Sequence, residues 1–304
     1  MPRTKSWFDR IMVGLLPLVP RPLLWRVASR YVAGKTLSAA MARCRRIMEL
    51  GARVTLDVLG EEIEHIEAGE QAVRSYFDVL DAIREEGIDG NISVKLTAFG
   101  LKLDEDVTYA RVRSVVSRAR DLGNFVRIDM EDSSCTTATL AIYRRLREEG
   151  FDNVGVVLQA YMRRSMDDVR ALADLAPNYR LCKGIYIEPE EVAFQDPEEI
   201  NQNYVALLQA MLDGGSYVGI ATHDRVLVDA VEETLRNREL AKEAYEFQML
   251  LGVDQALGMR ILGAGHALRI YVPFGEKWHA YCVRRLQENP QIGRYVLKGM
   301  FTRQ

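Results

Sequence analysis

A (β/α)8 barrel of the TIM type, preceded by an N-terminal helical arm, is the architecture this chain of 304 residues predicts. Three observations predict it. Short apolar or β-branched runs alternate strictly with amphipathic stretches from residue 53 onward, and the runs number eight. The stretch they fill is close to the ~250 residues usual for that barrel. The rival, an open doubly wound sheet, would carry GxGxxG after its first strand, where this chain has LGEEIEHIEAGE; the nearest match, GAGHAL (263–268), precedes a strand.

Residues 1–45 form the expected arm and 46–304 the barrel domain. The first fifty residues hold ten basic and two acidic side chains, whereas the rest hold 30 basic and 41 acidic. Such asymmetry points to an anionic partner for the basic part. Within the arm, IMVGLLPLVPRPLLW is interrupted by Pro17, Pro20 and Pro22 and falls short of the ~20 apolar residues of a spanning helix. No small-residue cleavage motif follows, which disfavours a signal peptide. Two readings stand for the arm: it lies on an anionic membrane surface, or it packs on its own domain or on another subunit.

The expected strands are RVTLDVLG (53–60), NISVKLTAFG (91–100), FVRIDMED (125–132), VGVVLQAY (154–161), RLCKGIYI (180–187), YVGIATHD (217–224), YEFQMLLGV (245–253) and LRIYVPFG (268–275). Between them, ATLAIYRRLREEG and RSMDDVRALADLA place apolar residues three and four apart, as helices require. The last helix is EKWHAYCVRRLQENP, whose apolar stripe is Trp278, Tyr281, Cys282 and Leu286. Arg285 lies seven residues, about two turns, beyond Trp278 and therefore faces inward, with Arg284 on the edge of the stripe. A surface ion pair with Glu288 is the alternative for these arginines.

Four widely spaced cysteines without a CxxC pair read as reduced thiols of a cytoplasmic protein, and four unpaired histidines give no metal motif. Catalytic groups of such barrels gather at the C-terminal ends of strands. Asp57 with Glu61, Lys95, Asp129 with Glu131, Gln159 with Tyr161, Arg180 with Lys183 and Tyr186, Thr222 with His223 and Asp224, and Tyr271 occupy those ends on seven of the eight strands. Buried charges must be paired or must meet a charged guest, and a carboxylate held by arginine suits this set.

Taken in order, DVLGE (57–61), SVKLTA (93–98), IDMED (128–132), VLQAY (157–161), RLCKGIY (180–186), ATHD (221–224), EFQMLLG (246–252), RIYVPFG (269–275) and YCVRRLQEN (281–289) resemble the proline dehydrogenase family, in its monofunctional bacterial form. The resemblance implies an FAD-dependent oxidation of L-proline to Δ1-pyrroline-5-carboxylate, with hydride transfer to flavin N5 and electrons passed to a membrane quinone. By it, Lys95, Arg284 and Arg285 hold the substrate carboxylate and Tyr271 packs on the proline ring. Arg180 lies by flavin N5, and Asp129 orders the cations around the ligand. Met130, Gln159, Lys183, Gly184, Ile185, Tyr186, Thr222 and His223 fall at FAD-contacting positions, and Glu61 with Asp57 gate the pocket. Cys182 and Ile185 depart from the valine and alanine common there. No nucleic-acid partner is expected, the arm offers an oligomer contact, and the setting is cytoplasmic or peripheral at the inner membrane. Two other classes stay open: a Schiff-base lyase using Lys95 or Lys183, and an inactive barrel serving as a binding module.

Overall fold

A computed structural model of the chain describes residues 21–60, 62–238, 240–279 and 281–282. Two helices come first, α1 (Arg21–Ala28) and α2 (Leu37–Glu49). Strand and helix then alternate: β1 (Arg53–Val58), α3 (Gly69–Glu85), β2 (Gly90–Val94), α4 (Glu105–Asp121), β3 (Val126–Ile128), α5 (Ser133–Glu148), β4 (Val154–Gln159), α6 (Ser165–Ala171), β5 (Asn178–Cys182), α7 (Pro197–Asp213), β6 (Tyr217–Ala221), α8 (Arg225–Asn237), β7 (Tyr245–Leu250), α9 (Gln255–Gly263) and β8 (Leu268–Phe274). Neighbouring strands pair in parallel in sequence order, and β8 pairs with β1, so the sheet closes into the expected barrel.

Alternation along each strand sorts its side chains. Val54, Leu56, Ile92, Val94, Val126, Ile128, Val218 and Ile220 belong to the buried aliphatic core between sheet and helices. Thr55, Asp57, Ser93, Arg127, Asp129, Arg180, Glu246, Gln248, Arg269 and Tyr271 point into the tube, where they make polar contacts across strands: Ser93, Arg180 and Tyr271 with Asp129, Gln248 with Arg180, Glu246 with Arg269, Asp57 with Lys95, Thr55 with Asn91, and Arg127 with Val156 O and Asn178. Bulky branched residues usually fill that space; here charges and amides do. Room is made by Gly155, where a Cβ would lie 2.4 Å from Arg127 Nη1. Burial, together with the nearby Arg180, lowers the Arg127 pKa to about 9.

The strands are shorter than the apolar runs. After β2 the chain turns through a short 3-10 helix, Leu96–Phe99, and β5 stops at Cys182 because Gly184 takes φ +106°, a conformation other residues rarely adopt. Asp104, Asp132, Asp196, Asp224 and Asp254 cap the helices that follow, each accepting from a backbone amide of the first turn.

α2 packs on β8 and β1, burying Ala40, Met41, Cys44 and Ile47 in the main core. The division expected between residues 45 and 46 therefore falls within this helix. α1 belongs to a separate cluster: Leu24, Ala28 and Val32 meet Leu59, Trp278, Tyr281 and Cys282. Trp25 and Trp278 contact edge to face at 4.8 Å, with Lys35 Nζ 5.2 and 5.8 Å from the two ring centres. Hydrogen bonds from Ala33 N to Pro273 O (2.9 Å) and from Gly275 N to Gly34 O (3.0 Å) clip the arm to the end of β8, on the barrel face where the strands' C-termini lie.

Candidate active site

Asp129, the first residue beyond β3, stands at the centre of the strand ends. Its amide donates to Val94 O at 2.9 Å, which fixes the backbone. Its carboxylate meets four donors: Arg180 Nη1 (2.6 Å) and Ser93 Oγ (3.2 Å) on one oxygen, Tyr271 Oη (2.7 Å) and Lys95 Nζ (3.5 Å) on the other. Burial would raise its pKa, but Arg180 and then Lys95, with the two hydroxyls, hold it below the usual carboxylate range. Lys95 in turn donates to Asp57 Oδ1 at 2.8 Å and to Tyr271 Oη at 3.0 Å. Burial pulls this ammonium down, while Asp57 and Asp129 hold it above its ordinary range. The Tyr271 phenol is pushed well above its usual value by burial and by the two carboxylates. Its ring lies under both cations, 5.7 Å from Lys95 Nζ and 5.2 Å from Arg180 Cζ.

Strands β1, β2, β3, β5 and β8 thus bring Asp57, Lys95, Asp129, Arg180 and Tyr271 into one network, as their places at strand ends predict. Asp57, expected at the gate with Glu61, is 1% exposed and held by Lys95. Glu131 leaves the cation cluster: its carboxylate accepts from Thr97 N (3.0 Å) and Thr97 Oγ1 (2.5 Å), and burial raises its pKa. Glu61, Arg284 and Arg285 lie outside the described residues.

A second group gathers on β4, β5 and β6. Gln159 Nε2 donates to Met130 O (3.4 Å) and Glu131 O (3.3 Å), whereas its Oε1 is buried with no hydrogen-bond partner. Lys183 Nζ pairs with Asp224 Oδ2 at 2.5 Å, and Asp224 caps α8 with its other oxygen. Thr222 Oγ1 accepts from Asp224 N at 3.1 Å. His223 Nε2 accepts from Leu250 N at 2.8 Å, so the neutral ring carries its proton on Nδ1. Gly184 lies on Tyr161, whose ring would be 2.0 Å from any Cβ there, and Ile185 is partly exposed beside it.

These residues fit a flavin nucleotide. Gln159 Oε1 is a buried acceptor that lacks a donor, and an isoalloxazine ring carries one; Lys183 is a half-buried cation suited to phosphate. Three contributors are absent from the polar strand ends read in the sequence. Ser93 bridges Arg180 and Asp129, while Glu246 and Gln248 come from β7, the one strand to which no site residue was assigned. The signal was there: Ser93 and Lys95, like Glu246 and Gln248, are polar residues two apart on one face of otherwise apolar runs.

A closed parallel barrel with cations and carboxylates paired at the C-terminal mouth defines an enzyme of the (β/α)8 class. The model of the family described as proline dehydrogenase matches residues 40–296. Proline dehydrogenase of Deinococcus radiodurans is 35% identical over 284 residues, covering 92% of each chain, and proline dehydrogenase 1 of Bacillus subtilis strain 168 is 35% identical over 273, covering 90% of each. The chain belongs to the proline dehydrogenase family, oxidoreductases acting on a CH–NH bond. Among solved structures, proline utilization A from Bdellovibrio bacteriovorus, inactivated by N-propargylglycine, superimposes with TM-score 0.82 at 24% identity over 91% of this chain. This chain spans 34% of that protein's length.

Proposed function

We propose that the chain oxidises L-proline to Δ1-pyrroline-5-carboxylate with FAD as oxidant, the first step of proline breakdown to glutamate. The observation that carries this reading is the joined network Asp57–Lys95–Asp129–Arg180, with Tyr271 bonded to it, at the strand ends. Two cations against two carboxylates are balanced. Arg284 and Arg285 would supply the further positive charge that grips the proline carboxylate beside Lys95. Tyr271 would pack on the ring and limit what else fits. When bound, FAD supplies a two-electron acceptor at its N5 atom. Met130, Gln159, Lys183, Gly184, Ile185, Tyr186, Thr222 and His223 would hold it, and Arg180 would stabilise the negative charge that grows as it is reduced. Proline loses a hydride from the ring carbon beside nitrogen and a proton from that nitrogen, leaving a C=N bond.

Electrons would pass on to a membrane quinone, with the basic arm docking at an anionic surface of the inner membrane from the cytoplasmic side. Self-association through the arm is the other role it suits. Among the described residues no helix is long and apolar enough to cross a membrane.

A Schiff-base lyase needs a neutral amine. Lys95 is held protonated by two carboxylates, which speaks against it as that nucleophile. The deciding experiment is an absorbance spectrum before and after anaerobic L-proline. A flavin spectrum that bleaches is expected, and N-propargylglycine is expected to abolish the bleaching. A protein with no flavin, or a lysine adduct trapped by borohydride, would overturn the reading.

A further inference from the structure

None of the residues assigned above to proline or flavin lies on strand β7, yet its two inward side chains, Glu246 and Gln248, are buried and lead to Arg180. Gln248 Oε1 accepts from Arg180 Nε at 2.5 Å, and Gln248 Nε2 donates to Glu246 Oε1 at 2.7 Å. Glu246 Oε1 also accepts from Arg269 Nε at 2.6 Å, and Arg269 Nη1 donates to Val54 O at 2.8 Å. Burial alone would raise the Glu246 pKa, but Arg269, with hydrogen bonds from Arg269, Gln248 and Tyr217, brings it below the usual range, so the carboxylate is charged. This sequence of charges admits one orientation of the amide. Turned over, it would set two donors against each other at Arg180 and two acceptors at Glu246, with buried polar groups unmet at both ends.

The contact also skips a strand. Arg180 is on β5 and Gln248 on β7, with β6 between them. The β6 residue in register with both Arg180 and Glu246 is Gly219, and a Cβ on it would lie 2.4 Å from Gln248 Nε2 and 2.8 Å from Gln248 Cδ. A missing side chain on β6 is the gap through which the amide reaches Arg180. The guanidinium is then held at two nitrogens: Nε by Gln248, and Nη1 by Asp129 and Ser93 at 2.6 and 3.0 Å. Those two contacts fix its plane. Its Nη2 makes no hydrogen bond among the described residues.

We propose that Gln248 is a positioning residue for Arg180 in flavin reduction, its amide oriented by Glu246 and Arg269 and admitted by Gly219. The proposal rests on the proline dehydrogenase reading above. Anaerobic stopped-flow reduction and the flavin midpoint potential are measured on wild-type holoenzyme, Gln248→Met and Glu246→Gln. Gln248→Met is expected to slow reduction at saturating proline about 10- to 100-fold, the scale of a lost hydrogen bond to a charged group, with proline affinity within about threefold of wild type. The potential is expected to become more negative, because the cation is no longer held where negative charge develops. Glu246→Gln, which keeps the shape but frees the amide to turn over, shows the same pattern at smaller size; should Gln248→Met lose its flavin, this variant alone decides. Unchanged rate and potential overturn the proposal, as does a loss confined to proline affinity or to melting temperature. A wild-type flavin that proline fails to bleach would overturn the functional reading, and this proposal with it, before any substitution is compared.

Discussion

Asp129 joins both cations of the described site, so its titration is coupled to the fold. Its folded pKa lies below the unfolded value of about 3.9, so its stabilising contribution is present above about pH 4 and is lost as pH falls through the folded value. Asp129→Asn is expected to cost about 3 kcal/mol at pH 7, as breaking a buried ion pair does. In urea titrations the gap between the two proteins should close below about pH 4; a gap constant down to pH 2 would refute the assignment. Arg285→Met is expected to raise the proline KM about 10- to 150-fold, the value of an arginine–carboxylate bond, and an unchanged KM would remove that residue from the clamp. Lys95, Arg180 and Tyr271 were legible as polar residues at strand ends because alternation fixes which side of the strand each occupies. Depth was not legible. The burial of Asp57 could not be read, because nothing in DVLGE tells that Lys95 folds over it from the next strand.

The loop after β5 shows why element boundaries are harder to read than elements. RLCKGIYI is apolar enough for one long strand, but the positive φ of Gly184 turns the chain out of the sheet, so Lys183 reaches Asp224 at the rim. Gly184→Ala would force a strained backbone and a Cβ 2.0 Å from Tyr161. The expected outcome is a protein that keeps its barrel by circular dichroism and purifies with less than about a tenth of the flavin, in line with a backbone cost of 1–3 kcal/mol at the site; full flavin content would show that this turn is not part of the nucleotide cradle. Strand β7 was legible as an element and not as a contributor. EFQMLLG reads as core, and only the closed barrel shows that Gln248 shares a face with Arg180 two strands away and Glu246 with Arg269 on the next strand.

At the scale of the molecule, the eightfold alternation was enough to give the closed sheet, since strand–helix repeats without a dinucleotide fingerprint leave few topologies. The arm was less legible: its composition says basic and apolar, whereas its seat on Trp278, Tyr281 and Leu59 depends on residues more than two hundred positions away or on a strand end. Liposome co-sedimentation of the full chain and of one starting at residue 36 separates its two roles. Binding to anionic vesicles that weakens on truncation and in 0.5 M salt is expected if the arm docks on lipid; equal binding would leave self-association as its role. The polar filling of the tube carries a consequence for how this protein can change. In a barrel plugged by aliphatics, the interior can be repacked for heat tolerance with little effect on chemistry. Here any swap inside the tube alters the field at the reaction centre, so adaptation to higher temperature has to be sought in the layer between sheet and helices, where Val112, Val115, Leu146 and Leu208 meet the outer faces of the strands.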